Sequence, residues 1–463
     1  MNNSLKRGAW LCLAFGSLFA TAQTSSKSNN AYTYKKKAEI NMPIVQTKYT
    51  ADPAPVVVND TVYLFTSHDD DLGEGFIMKD WLLYSSTDMV NWQDRGIVAS
   101  LRDITWYKGN NGAWAIQVVH RNGKWYMYCP IPSNGIAVLV ADKPTGPFVD
   151  PLGKPLIPYT NYWGVIDPTV LIDDDGQAYL YWGNPDCYCA KLNDDMISLK
   201  TEPVKFPKIK DYQEGPWAWK RNGKYYLAYA STCCPEGIGY AMSDNPMGPW
   251  EYKGHIMDHT ERTRGNHPGI IDYKGRSYCF GQNYDIFRLE TDRHAERRSV
   301  SCADMQYNAD GTIRELPYFH DCTLTPAEKF NPYRRVEAET MAWGFGLKTN
   351  DKNPCSRHNS LFVNHIDDGD YIRLKNVDFG KGASTFQASV NCHLYGGEIE
   401  VRLDDEDGQL IGTVSVDNTK FEYHTFETKV KRVAGVHDLF LVFRGCKQQK
   451  QNLFLFDWWQ FKK

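Results

Sequence analysis

Between residues 59 and 281 the chain writes one short phrase five times: a turn pair, then an aromatic strand run. The pairs are Asn59-Asp60, Asn122-Gly123, Asp175-Gly176, Asn222-Gly223 and Lys274-Gly275. The runs behind them read Val62-Tyr63-Leu64-Phe65, Trp125-Tyr126-Met127-Tyr128, Tyr179-Leu180-Tyr181, Tyr225-Tyr226-Leu227 and Tyr278-Cys279-Phe280. Asn-Gly and Asp-Gly between apolar runs signal β-hairpins. A phrase recurring at roughly 50 residues signals a propeller or solenoid. Five copies predict five blades, and the absence of long amphipathic stretches makes the class all-β.

The first strand of each propeller blade lines the central axis. Seven or eight residues before each turn pair the copies carry Asp52, Trp114, Asp167, Glu214 and His267 in order. Equivalent positions on five inner strands converge, so two Asp, a Glu, a His and a Trp are expected at one spot. A second device, a strand leaving into a turn that ends on an aromatic, recurs at residues 86–92, 141–148 and 243–250.

The repeats predict a propeller over residues 45–328. A composition change around Pro326 and Pro332 follows, and residues 334–463 alternate short strand runs with polar turns, as a β-sandwich does. Residues 1–23 read as a secretory signal, with Lys6-Arg7 ahead of an apolar stretch over 9–20, and 24–44 as a flexible lead. No later segment is a membrane span. The net charge of −4 gives no reason to expect nucleic acid. Cys187-Tyr188-Cys189 and Cys233-Cys234 have no zinc-site partner pair, and buried thiols are the expectation for the cysteines in strand runs.

Breaking a glycosidic bond takes two carboxyl groups of different pKa, one to protonate the leaving oxygen and one to activate water or attack carbon. Asp52, Asp167 and Glu214 supply three. Like charges around one axis cannot all ionise cheaply, so at least one pKa must rise. One Asp-Pro pair alone caps a turn; three carboxyls in register with three repeats are not explained that way. Pro53 and Pro168 are expected to hold the Asp before each in extended geometry. Trp217 is expected to dry the surroundings of Glu214. His267 in the same register is a candidate to hold a hydrated cation beneath the carboxyls.

At these residues the chain resembles glycoside hydrolase family 43. The matching pieces are Asp52-Pro53-Ala54-Pro55, Ala113-Trp114-Ala115, Ile166-Asp167-Pro168-Thr169, Glu214-Gly215-Pro216 and Asn266-His267-Pro268-Gly269. The resemblance implies a five-bladed β-propeller that hydrolyses glycosides with inversion. It implies Asp52 as general base, Glu214 as general acid and Asp167 as the group that tunes and orients the acid. His267 matches the family's central residue, often near calcium. Trp114, Trp217 and Arg298 are the expected substrate contacts, and an arginine of the 297–300 segment is expected to pair with Asp167. His68 and the run Asp69-Asp70-Asp71 read as a solvated loop or a subsite wall.

Residues 334–463 resemble carbohydrate-binding module family 6 through Val336-Glu337-Ala338-Glu339, Asp368-Gly369-Asp370-Tyr371-Ile372 and Phe456-Asp457-Trp458-Trp459. The resemblance implies a jelly-roll sandwich with a structural calcium on Glu337, Glu339 and Asp457. The expectation is an exported glycosidase that takes α-L-arabinofuranosyl, or else β-D-xylosyl, residues from plant polysaccharide. An endo-acting arabinanase or xylanase, a β-galactosidase, and a glycan-binding protein without catalysis are the alternatives. Oligomeric state is not legible in the sequence.

Overall fold

The turn pairs set the blades. Asn59-Asp60, Asn122-Gly123, Asn222-Gly223 and Lys274-Gly275 all have positive φ at both positions. That is the type I′ geometry whose twist matches the strands it joins. The flanking residues pair directly, as in Val58↔Thr61, Arg121↔Lys124, Arg221↔Lys224 and Tyr273↔Arg276. The structure, a computed structural model, describes residues 43–161, 163–232, 235–260, 266–291, 293, 295–350 and 361–463. The expected signal over 1–23 lies outside the described residues, as does nearly all of the expected lead.

Five antiparallel sheets follow from these hairpins. Their inner strands are Tyr49–Val58, Gln117–Arg121, Thr169–Ile172, Tyr212–Arg221 and Gly269–Tyr273. Each touches the next in order, and the fifth touches the first, so the ring closes. Blades one to four have a four-strand meander; blade five has three strands. The chain before the first inner strand seals the ring, with Ile44 N donating to Val300 O and Thr50 N to Arg298 O, both at 2.9 Å. The repeated aromatics fill the spaces between blades, as in the edge-on pair Tyr63–Trp125 and the stack Trp219–Tyr226.

Two further antiparallel sheets form a sandwich, running from Val336–Glu337 to the last strand, Leu455–Lys462. Its core is packed from Phe386, Val401, Leu441, Phe456 and Trp459. The sandwich is joined to the propeller through main chain. Strand Thr340–Met341 pairs with Trp92–Ser100 and so adds a fifth strand to blade one. Trp343 and Phe345 bury against Tyr49, Ile286 and Phe287. The eight cysteines that can be described are all free thiols, seven of them buried; Cys233 and Cys234 lie outside the described residues.

Candidate active site

The acids reach the axis through backbone irregularities. The pairing of the first inner strand shifts between Ala51 and Ala54, and that of the fourth shifts on both sides of Glu214. Bulges of this kind re-aim a side chain. Asp52 and Asp167 sit at φ 53° and 54°, and Gly215 at 57°. The expected extended geometry at the two Asp residues is therefore overturned. Both adopt the left-handed region, the kind of backbone strain that clusters at functional sites. In all three blades a left-handed residue precedes a proline: Pro53, Pro168 or Pro216. Gly215 has no substitute there, because a Cβ would fall 2.8 Å from His267 Cδ2.

The three axis carboxyls meet around one imidazole. His267 Nδ1 lies 3.3 Å from Asp52 Oδ1. On the other side its Nε2 lies 3.3 Å from Glu214 Oε1 and 3.8 Å from Asp167 Oδ2. Gly215 N donates to Asp167 Oδ2 at 3.1 Å, which locks Asp167 to the backbone beside Glu214. Asn184 Nδ2 donates to Glu214 Oε2 at 2.5 Å. Arg298, also buried, donates to Asp52 Oδ1 at 3.1 Å and grips Asp69 through Nη2 and Nε at 2.8 and 3.0 Å.

These residues floor a pocket of about 320 Å³, at the small end of the range for ligand sites. Phe76, Met78, Trp114 and Trp163 form its apolar wall. The rings of Trp114 and the exposed Trp163 stack at 5.7 Å with their planes 16° apart. Flat aromatic walls above a carboxylate floor suit a sugar, whose C–H faces are apolar and whose hydroxyls are not.

The charges divide the acids. Burial alone would raise Asp52, but the Arg298 and His267 charges outweigh it and hold the carboxyl below its ordinary value. Asp167 has no such guanidinium; burial, with the neighbouring Glu214 and Asp52 charges, pushes it up to about 8 despite His267. Burial opposes the charge on His267, yet Asp167, Asp52 and Glu214 together push it up to about 10. At neutral pH the centre thus holds an imidazolium, an ionised Asp52, and a proton on the Asp167 side.

Placement of the remaining expected residues varies. Trp114 lines the pocket wall and Arg298 its floor. Trp217 does not reach the pocket: beyond the irregularity at Glu214 it turns into the blade core and donates from Nε1 to Ile270 O at 3.0 Å. The arginine pairing is corrected too, since Arg298 binds Asp52 and Asp69 and makes no ion pair with Asp167. Asp69 belongs to no solvated loop. It ends strand Thr61–Asp69 and is fully buried as the partner of Arg298. The sequence reading missed Phe76, Met78, Trp163 and Asn184; no repeat register marks them, because they stand on loops between strands.

Two places bear on a metal. Asp167, Glu214 and His267 each bring a ligand atom within 4.8 Å of the others, an acidic triad spaced to hold an ion. A metal bound there would take the place of the proton that the surrounding carboxylates otherwise keep on the imidazole. In the sandwich, Glu339 is 5% exposed, its Oε2 meets no hydrogen-bond donor, and burial pushes it up to about 8. Glu337 and Asp457 stand nearby on the paired strands Val336–Glu337 and Leu455–Lys462, with Arg335 Nη2 2.9 Å from Glu337 Oε2 and 3.8 Å from Asp457 Oδ2. A buried carboxylate oxygen without a donor suits a hard cation such as calcium, although Glu337, Glu339 and Asp457 do not bring their ligand atoms within 4.8 Å of one another as the axis triad does.

Comparison with known proteins agrees with this geometry. The pattern of Glycosyl hydrolases family 43 matches residues 40–313, and that of Carbohydrate binding module (family 6) matches 337–463. An arabinoxylan arabinofuranohydrolase of Bacillus subtilis is 34% identical over 97% of this chain and 96% of its own length. A xylosidase/arabinosidase of Bacteroides ovatus is 31% identical over 58% of this chain and 95% of its own. The crystal structure of a family 43 arabinoxylan arabinofuranohydrolase from Bacillus subtilis in complex with cellotetraose superposes with a TM-score of 0.80, at 32% identity, over 93% of this chain and 99% of that one. With a pocket floored by buried carboxyls on a five-bladed ring, the chain belongs to glycosyl hydrolases family 43 and is a glycosidase.

Proposed function

We propose that the protein is an inverting, exo-acting α-L-arabinofuranosidase that removes arabinosyl side groups from xylan, with Asp52 as base, Glu214 as acid and Asp167 as the group that tunes the acid. The observation carrying this reading is the division of three carboxyls around His267. Asp52 lies against one ring nitrogen, and Glu214 and Asp167 lie against the other. Inversion needs ~6.5–9.5 Å between the two working carboxyls, to leave room for a water. Placing them across an imidazole supports that spacing.

In the reaction Glu214 gives its proton to the leaving glycosidic oxygen. Asp52, kept ionised by Arg298, takes a proton from the water that attacks the anomeric carbon on the opposite face. Burial and the neighbouring charges keep a proton on Asp167 near neutrality, and Asp167 stands within 4.8 Å of Glu214, so that proton is at hand to pass through Glu214 to the departing oxygen. Asn184 and His267 orient Glu214 from its two oxygens.

Arabinose is favoured over xylose because the relatives named arabinoxylan arabinofuranohydrolase match across both domains at 34% identity, whereas a relative named xylosidase/arabinosidase that also spans both does so at 23%. The apolar stretch over residues 9–20 and a polymeric substrate support export. Calcium, where bound, belongs in the sandwich on Glu337, Glu339 and Asp457, where it staples the two ends of that domain and takes no part in bond cleavage.

The test is turnover of 4-nitrophenyl α-L-arabinofuranoside and arabinoxylan, with the first-formed arabinose anomer followed by NMR. The β anomer is expected first. Release of the α anomer first would overturn inversion, and absence of arabinose from both substrates would overturn the substrate assignment.

A further inference from the structure

The sandwich reaches into the support of the active site through one side chain. Lys348, on strand Lys348–Thr349, is 5% exposed and places Nζ 2.9 Å from Asp71 Oδ2. The same ammonium lies 5.4 Å above the ring of Tyr49, the first residue of the inner strand that carries Asp52. Its neighbour Thr349 donates to Asp94 Oδ2 at 2.6 Å, where Lys48 also binds at 2.9 Å. The contact is therefore a built, largely buried seam between the two domains.

Asp71 is the second residue of the loop over residues 70–79, and that loop does two things at the pocket. It supplies Phe76 and Met78 to the wall. It also backs Arg298, whose guanidinium sits 5.2 Å over Phe76 and 3.5 Å from Met78 Sδ. Asp69, two residues before Asp71, is the fork partner of Arg298, which in turn binds Asp52. The loop's own ties are Asp70 N to Ile77 O and Arg297 to Gly73 O, both at 2.9 Å.

We propose that Lys348 is a positioning residue for hydrolysis: from the sandwich it pins Asp71, and so holds the pocket wall and the Arg298–Asp52 pair in working geometry. The C-terminal domain is then part of the catalytic support, besides any role in holding polysaccharide. The proposal rests on the arabinofuranosidase reading for its assay. It concerns how this chain's two domains cooperate, so it predicts an effect even on a substrate too small to touch the sandwich.

The experiment uses the full chain and 4-nitrophenyl α-L-arabinofuranoside. Lys348→Met keeps length and apolar stem and loses the charge; Asp71→Asn loses the other partner; Lys348→Arg keeps the cation. Misplacing catalytic groups by ~1 Å can cost up to ~10²-fold, so a partial loosening is expected to lower kcat/KM roughly tenfold in Lys348→Met and in Asp71→Asn. Most of that loss should fall on kcat, with the acid limb of the pH profile moved upward as Arg298 loosens from Asp52. Lys348→Arg should recover most of the activity. The double variant should be no worse than either single one, as for two residues acting through one contact.

Wild-type kcat/KM and an unmoved acid limb in Lys348→Met would overturn the proposal, as would additive losses in the double variant. A thermal shift that accounts for the whole activity loss, with the acid limb unmoved in the folded fraction, would also overturn it by leaving only a structural role. Failure of the unaltered protein to turn over the glycoside would instead refute the arabinofuranosidase reading, so the two failures are separable.

Discussion

Arg298→Met is the perturbation that most directly tests how the centre keeps Asp52 ionised. The guanidinium makes three charge-assisted bonds: one to Asp52 at 3.1 Å and two to Asp69 at 2.8 and 3.0 Å. Asp52 is 4% exposed and Asp69 fully buried, so water cannot replace the lost cation. Removing one partner of a buried pair costs about 3–5 kcal/mol, a large part of the roughly 5–15 kcal/mol that holds a domain together. The kinetic consequence has a definite sign. In the wild type Asp52 lies below its ordinary value because Arg298 and His267 outweigh burial. Without Arg298, burial gains the upper hand and the pKa rises, each unit being worth about 1.4 kcal/mol. The acid limb of kcat/KM on 4-nitrophenyl α-L-arabinofuranoside should move to higher pH, with a loss of denaturant stability of the size just given. Arg298→Met/Asp69→Asn removes one stranded carboxylate and should fold better while keeping the shifted limb. Arg298→Lys restores a charge without the planar fork, so its limb should fall between. An acid limb in Arg298→Met that coincides with the wild type would refute the reasoning, whatever the stability.

Asp52→Asn and Glu214→Gln should each lower kcat/KM by ~10²–10⁴-fold, with circular dichroism unchanged in both and melting lowered in Asp52→Asn, which leaves Arg298 without one of its carboxylates; a wild-type rate in either would remove that residue from its assigned role. His267 is raised from 6.5 to about 10, so the stability it contributes is complete below pH 6.5 and disappears as pH rises through 10. Asp167, raised to about 8, has the same sign, favouring the folded state only while protonated. Unfolding free energy measured in urea should therefore fall from pH 6.5 to 10, and His267→Gln should flatten that fall; a rising profile would contradict the imidazolium assignment. Chelation by EDTA should lower the melting temperature through Glu337, Glu339 and Asp457 while leaving kcat on the small glycoside unchanged, and added calcium should reverse it. An unchanged melting temperature would remove the ion from the sandwich.

Much of the architecture could be read from local sequence because its causes are local. A type I′ turn needs two residues tolerant of positive φ, and Asn-Gly or Asp-Gly pairs advertise it at short range. The repeated register then brought Asp52, Trp114, Asp167, Glu214 and His267 to one axis, since a closed ring of blades aligns equivalent positions.

What escaped the sequence depends on contacts between residues far apart in the chain. Asp69 looked like part of an acidic loop, yet an arginine 229 positions later makes it a buried partner. Trp217 looked like a sugar contact, but the irregularity beside Glu214 reverses the strand alternation and sends it into the core. Lys348 carried no motif at all and gained its place from the packing of one domain on another. The sequence by itself determined five blades, a following sandwich and which residues face the axis, because turn chemistry and repeat period act within a few residues. Only the tertiary structure decided which acid stays charged, which aromatics line the pocket and where the sandwich touches the loop beside it, because burial and ion pairing exist only once distant segments meet.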